Sequence, residues 1–184
     1  KEVSRLEKIL KDLLSYTQDE SLIFKELDLR DVLEESLSMA IEGIRSGRVH
    51  LVKEYAEKIP VIKGDSLQLK QSFFNLINNA SQAMKETGTL FLRVFPFSRN
   101  GSPCVRVEVE DTGKGIDPEN LHNIFNPFYS TRESSLGLGL PIVHKIIASH
   151  RGQIEVDNHP GTGVKFIITL PAFEKEKENC ANNA

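Results

Sequence analysis

What the 184-residue sequence lacks narrows it first. No stretch approaches the roughly 20 consecutive apolar residues of a membrane-spanning helix. The opening residues, Lys1-Glu2-Val3-Ser4-Arg5, carry no apolar signal-peptide core. The visible chain therefore reads as soluble and cytoplasmic, making no membrane contact of its own. It opens on Lys inside a helical pattern, as a piece of a longer parent would, and that parent could be membrane-anchored. Cysteine is scarce: Cys104 falls in a strand-like region and Cys180 in a polar tail, with no Cys/His spacing suited to zinc. Two free thiols in a reducing compartment are expected. An excess of one charge is missing too, with 23 Lys and Arg against 26 Asp and Glu and a net charge of −3. That balance gives no broad basic field for nucleic acid or anionic lipid, so any phosphate binding must be local.

What is present is ordinary globular chemistry, 39% hydrophobic and 27% charged, on a length that suits one domain with a short appended element. Val3, Leu6, Leu10 and Leu13 recur at alternating spacings of three and four, with Ile9 and Leu14 widening the stripe. Residues 1–18 thus read as part of a helix built to pair with others, and 19–26 as a linker. The folded domain is expected over 27–173, followed by a polar, disordered tail at 174–184. Within it, Leu27-Asp28-Leu29 reads as a short strand, and Asp31 as the cap of a helix carrying Val32, Leu33, Leu37 and Ile41. Strand-like runs follow at 49–55 and 60–63, then a second helix capped by Asp65 or Ser66 and running to about Lys85. Residues 89–97 and 104–110 read as an antiparallel hairpin. A third helix starts near Gly137 and stops at Gly152, and strands at 153–157 and 164–170 close the domain. Grouped helices and mostly sequential strands give an α+β class: a two-layer sandwich, one mixed sheet with three helices on one face.

Four segments carry chemistry. Asn75 and Asn79 lie four apart and share a helix face, although Asn is a poor mid-helix residue. Alone, such a pair is more simply an exposed polar face. Asp111-Thr112-Gly113-Lys114-Gly115-Ile116 ends an apolar strand; the Asp could accept a bond from an exocyclic amine, and the glycines let a flat ring approach the backbone. It could equally be a plain Asp-x-Gly turn. The third segment, Ile124-Phe125-Asn126-Pro127-Phe128-Tyr129-Ser130-Thr131-Arg132, sets aromatic residues in a loop, as in a lid that docks and undocks or a static loop pinned by its rings. The fourth, Gly137-Leu138-Gly139-Leu140-Pro141, opens a helix, where backbone N–H groups and the helix dipole favour an anion. A lone G-x-G is also just a tight turn.

In this order the segments resemble the N, G1, F and G2 boxes of sensor histidine kinases and their gyrase, heat-shock chaperone and mismatch-repair ATPase relatives. The resemblance spans about 28–170 and is nearest to kinases of the nitrogen-regulatory type. It implies the Bergerat-type ATP-binding fold, with ATP and Mg²⁺ as cofactors. Asp111 would take the adenine amino group, with Gly113, Gly115 and Ile116 lining the base pocket. Asn79, with Asn75 beside it, would hold Mg²⁺ through hard oxygen ligands. Phe125, Thr131 and Arg132 would belong to the lid, Arg132 meeting the terminal phosphate. Ser135, Leu136, Gly137, Leu138, Gly139 and Leu140 would form the phosphate loop, and Asn75 and Arg132 would be the catalytic pair. The implied partners are a histidine-bearing dimerisation domain of the same parent, a response regulator receiver domain and, in the full-length protein, a second copy.

Two features depart from that pattern. Ser135 stands where the family usually has Gly, and Leu136 where Thr is frequent. No phosphoacceptor is present either: His50, His122, His144, His150 and His159 are followed by Leu, Asn, Lys, Arg and Pro, whereas the family's acceptor precedes an acidic residue. Each reads instead as a surface, turn or helix histidine. The 1–18 helix resembles the second dimerisation helix. Two other readings stay open. An ATP-hydrolysing relative would need a base, but this chain has Asn75 where those enzymes resemble one another in carrying Glu. A nucleotide-gated binding module would report ATP without transferring phosphate.

Overall fold

The structure, a computed structural model, describes Leu13 and residues 22–45, 48–84, 87–132 and 135–174. The helix, linker start and tail expected at 1–18, 19–21 and 175–184 lie outside the described residues, apart from Leu13.

The first strand, β1 (Lys25–Leu27), is displaced two residues toward the N-terminus from the strand expected at 27–29, because Leu29 opens helix α1 (Leu29–Arg45). Leu29 and Leu33 are fully buried one turn apart, and Val32 and Leu37 complete the stripe. The cap is Asp28 rather than Asp31. Its Oδ1 accepts the Arg30 N–H at 2.9 Å, and its carboxylate grips the Arg30 guanidinium at 2.5 Å, which holds the carboxyl below its usual range. Asp28→Ala removes this cap and should cost about 1 kcal/mol, read as a lowered urea midpoint at unchanged slope.

Strand β2 (Arg48–Tyr55) leads to β3 (Ile62–Gly64) and α2 (Ser66–Met84). Asp65 caps α2 as expected, its Oδ1 accepting the N–H groups of Leu67 and Gln68 at 3.0 and 3.1 Å. The hairpin of β4 (Thr87–Arg99) and β5 (Ser102–Asp111) is followed by a loop with a short 3₁₀ turn at Leu121–Asn123, then α3 (Gly139–Ser149), β6 (Gln153–His159) and β7 (Gly163–Pro171).

The main sheet runs β2-β4-β5-β7-β6, with only β2 and β4 parallel. That parallel pair requires a crossover, and β3 with α2 supplies it. β1 and β3 form a separate antiparallel pair. Leu90, Leu92 and Val94 of β4 alternate inward with Val105, Val107 and Val109 of β5 and with Phe166, Ile168 and Leu170 of β7. Phe73, Leu76 and Ile77 of α2 and Ile142, Val143 and Ile147 of α3 cover that face. Ser36 joins α1 to α2, donating to the carbonyls of Val32 at 2.7 Å and Lys70 at 3.2 Å.

The opposite face is charged. Arg93, in mid-sheet, meets Glu54 at 2.6 Å, Glu110 at 2.5 Å and Glu108 at 3.7 Å. The fold is thus the expected α+β two-layer sandwich, with three helices over one face of a mixed sheet.

His150, expected as an ordinary surface or helix histidine, is 3% exposed. Its Nε2 accepts the Asp65 N–H at 2.8 Å and its Nδ1 lies 2.7 Å from the Ile146 carbonyl, so the neutral ring with Nδ1–H satisfies both. Burial lowers its pKa. The Phe24 ring lies tilted against it with centroids 5.1 Å apart, and Asp65 Oδ2 accepts the Ile23 N–H at 2.9 Å. Together they strap the incoming chain to the start of α2.

Candidate functional site

A cavity of about 290 Å³ opens between the C-terminal half of α2, the loop after β5, the segment around 129–135, the start of α3 and the inner end of β7. Of the residues singled out from the sequence, Asn79, Asp111, Gly115, Ile116, Thr131, Arg132, Ser135, Gly137, Gly139 and Leu140 line it. Segments separated by up to 87 positions in the sequence, from Asn79 to Phe166, thus converge on one space.

Asp111 lies at its base. The carboxylate ends β5, whose pairing with β4 and β7 fixes it on both sides. It is 3% exposed, and its Oδ1 accepts the Gly113 N–H at 2.8 Å. Burial dominates its titration and raises the pKa to about 6, with Gly113 and Arg132 pulling the other way. Such a carboxylate, held at the end of an apolar strand with one oxygen committed to the backbone, is poised to accept a bond from an amine in the cavity.

Gly115 has φ +69°, and a Cβ there would lie 2.7 Å from the His159 carbonyl oxygen. Only glycine lets the loop lie against the β6–β7 turn in this way. Gly113 sits behind Asp111 rather than on the cavity surface.

At the other side, Gly137 has φ +70°, and a Cβ would come within 2.4 Å of the Tyr129 carbonyl oxygen. It therefore brings the aromatic segment over the start of α3. Ser135 Oγ accepts the Gly137 N–H at 3.4 Å, so the hydroxyl that replaces the usual glycine props this turn. α3 begins without a side-chain cap after Leu138. The nearest atom to a Cβ on Gly139 would be Asn79 Nδ2, 3.9 Å away. The helix thus presents open backbone beside a carboxamide, which suits an anion.

Asn75 does not line the cavity. Its Nδ2 donates to the Gly139 carbonyl at 3.4 Å, tying α2 to the first residue of α3. Leu138 is 1% exposed in the core, Leu136 packs against the core, and Phe125 lies 5.5 Å from the His144 ring. Arg132 reaches across to donate to Gln82 Oε1, and burial lowers its pKa while Asp111 raises it. Tyr129 donates to Asn120 Oδ1 at 2.5 Å, and Phe128 stands 62% exposed.

Of the other lining residues, Lys114, Ile124, Tyr129, Ser130 and Pro141 stand within the four segments without an assigned role, whereas Ala83, Asp117, Asn120, Val164 and Phe166 lie outside them. Strand alternation could have flagged Val164 and Phe166. Nothing local marks the Asn120–Tyr129 pair.

Comparison with known proteins agrees with this geometry. The family described as histidine kinase-, DNA gyrase B- and HSP90-like ATPase matches residues 64–174. The chain is 36% identical over 184 residues to the sensory histidine kinase/phosphatase NtrB of Rhodobacter capsulatus, covering 95% of this chain and 51% of that protein. It is 32% identical over 178 residues to the sensor histidine kinase ZraS of Salmonella typhimurium, covering 97% and 38%. Among solved structures, full-length ShkA in complex with AMPPNP aligns with a TM-score of 0.79 at 25% identity, over 91% of this chain and 36% of that one. Histidine kinase ThkA in complex with the response regulator protein TrrA aligns with a TM-score of 0.76 at 32% identity, over 94% and 48%. The chain thus spans about a third to a half of the length of these relatives. With a profile match across most of the described domain and relatives of one kind, the chain belongs to the histidine kinase-, DNA gyrase B- and HSP90-like ATPase family, in its sensor histidine kinase branch.

Proposed function

We propose that this chain binds Mg-ATP and presents its γ-phosphate to a histidine on a dimerisation helix outside residues 1–184, for relay to the aspartate of a response regulator. The observation that carries this reading is the buried Asp111 carboxylate facing a cavity whose far side is an uncapped helix start. One end accepts an amine and the other an anion, which is how a nucleotide is arranged. Arg132 is placed to neutralise phosphate charge once it leaves Gln82, and phosphoryl transfer needs little else from the protein beyond positioning and charge. The solved relative with AMPPNP supports the nucleotide, and the one bound to a response regulator supports the relay. The likeness to NtrB supports a parent of the nitrogen-regulatory type, and in this reading that parent acts as a homodimer.

The magnesium site fits a metal carried by the nucleotide. Among the described residues no group of three His, Cys, Asp or Glu side chains could hold a metal ion. Asn79 offers a neutral oxygen at the cavity wall, which suits a hard cation already bound to phosphate oxygens. Mg²⁺ would supply charge neutralisation there.

Calorimetric titration with Mg-ATP tests the reading. Binding is expected at pH 7.5. Because burial raises the Asp111 pKa to about 6, the ionised acceptor is present above that pH and is lost as pH falls. Affinity at pH 5 should be about tenfold lower, since roughly a tenth of the carboxyl remains ionised one unit below its pKa. Absence of heat at pH 7.5 with excess nucleotide would overturn the proposal.

A further inference from the structure

Ile116 closes the base side of the cavity, yet neither its N–H nor its carbonyl pairs with another backbone group of its own loop. Both are taken by one side chain from 42 residues away: Asn158 Oδ1 accepts the Ile116 N–H at 2.8 Å, and Asn158 Nδ2 donates to the Ile116 carbonyl at 2.8 Å. A carboxamide offers one acceptor and one donor in a plane, so Asn158 imitates a neighbouring strand at a point where no strand runs. Asn158 sits in β6 just before the turn to β7, and that turn supports the loop elsewhere as well. The Gly161 N–H donates to the Lys114 carbonyl at 2.8 Å. Gly115 fits against His159 and Pro160.

We propose that Asn158 is a positioning residue for the nucleotide loop: its two hydrogen bonds hold Ile116 and Gly115 at the base side of the cavity, so that the site is preorganised before ligand enters. This rests on the nucleotide reading above. The loop between Asp111 and Asp117 has no regular structure of its own and contains two glycines, so without Asn158 it samples conformations that must be frozen out on binding. An apolar side chain there could meet neither backbone group of Ile116.

The test compares the wild-type chain with Asn158→Ala by calorimetry with Mg-ATP and by amide exchange at Ile116, at a temperature well below both melting transitions. The expected result is faster exchange at Ile116 and a Kd for Mg-ATP raised about tenfold, as for the loss of two side-chain hydrogen bonds that order a loop. A role confined to stability would lower the melting temperature of the variant yet leave the Kd of its folded molecules unchanged. Wild-type binding matched by Asn158→Ala to within about twofold therefore overturns this proposal alone, because hydrogen bonds of this kind should show a larger effect. Absence of binding in the wild type overturns the nucleotide reading and this proposal with it. Should Asn158→Ala fail to fold, Asn158→Asp gives the same reading. It keeps the volume and the acceptor for the Ile116 N–H, sets a carboxylate against the Ile116 carbonyl, and is expected to raise the Kd in the same direction.

Discussion

Asp111→Asn weakens Mg-ATP binding by about 1–3 kcal/mol at pH 7.5 and leaves the folded protein at least as stable as the wild type. The two halves of that expectation have one cause. Asp111 is buried, and burial raises its pKa from 3.8 to about 6. The folded state therefore holds its proton more tightly than the unfolded chain does. Above pH 6 the carboxyl must ionise inside the fold, so its contribution to stability falls as pH rises from about 4 to 6 and stays unfavourable beyond. A shift of that size corresponds to about 2–3 kcal/mol. Asparagine keeps an oxygen for the Gly113 N–H and carries no charge to desolvate, so the strain of burial is relieved. It also turns an NH₂ group toward the cavity in place of an acceptor, and an incoming amine then meets a donor. Calorimetry and thermal melts of the same preparation read both effects. Unchanged ATP affinity would displace Asp111 from the base site, and a large fall in melting temperature would refute the account of its burial.

Gly163→Ala should destabilise the domain by about 3–4 kcal/mol, the range of a backbone clash that cannot be relaxed locally. Gly163 has φ +136°, which disfavours any L side chain, and a Cβ there would lie 1.9 Å from the Asp111 carbonyl oxygen. That carbonyl belongs to the strand pair joining β5 to β7, where Asp111 is opposite Val164. The methyl group must therefore prise apart the strands that seat the Asp111 carboxylate. Denaturant unfolding would show the loss as a lower midpoint. Gly161, also at positive φ (+86°) but with nothing within 4 Å of a Cβ, serves as the control: Gly161→Ala should cost only about 1 kcal/mol, from backbone strain alone.

Most of the fold was legible because its signals are local. Asp65 precedes a clean apolar period, and the hairpin turn between Phe97 and Cys104 is dense in turn residues. The miss at Asp28 is equally local in origin. Leu27-Asp28-Leu29 alternates like a strand, but Leu29 and Leu33 are one helical turn apart in the core, and packing decided between the two periods. The cavity was legible where motif residues present their backbone or a short side chain, as at Asp111, Gly115, Gly137 and Gly139. A motif read as a run does not say which members face inward. Leu138 lies in the same run as Gly137 and Gly139, yet its side chain is in the core, because successive residues entering a helix point to different sides. The pairings Arg132 with Gln82, Tyr129 with Asn120 and Asn158 with Ile116 left no trace in spacing. They join residues 9 to 50 positions apart, beyond the reach of helix or strand periodicity.

The strap at Ile23 and Phe24 has a mechanical side. It fastens the incoming chain at the N-terminal end of α2, whereas Asn79, which lines the cavity, lies 13 residues further along the same helix. At 1.5 Å per residue the fulcrum and the cavity wall stand about 20 Å apart on one rigid rod. A rotation of that rod by about 10° about the fulcrum would carry its Asn79 end through roughly 3–4 Å, more than the length of a hydrogen bond.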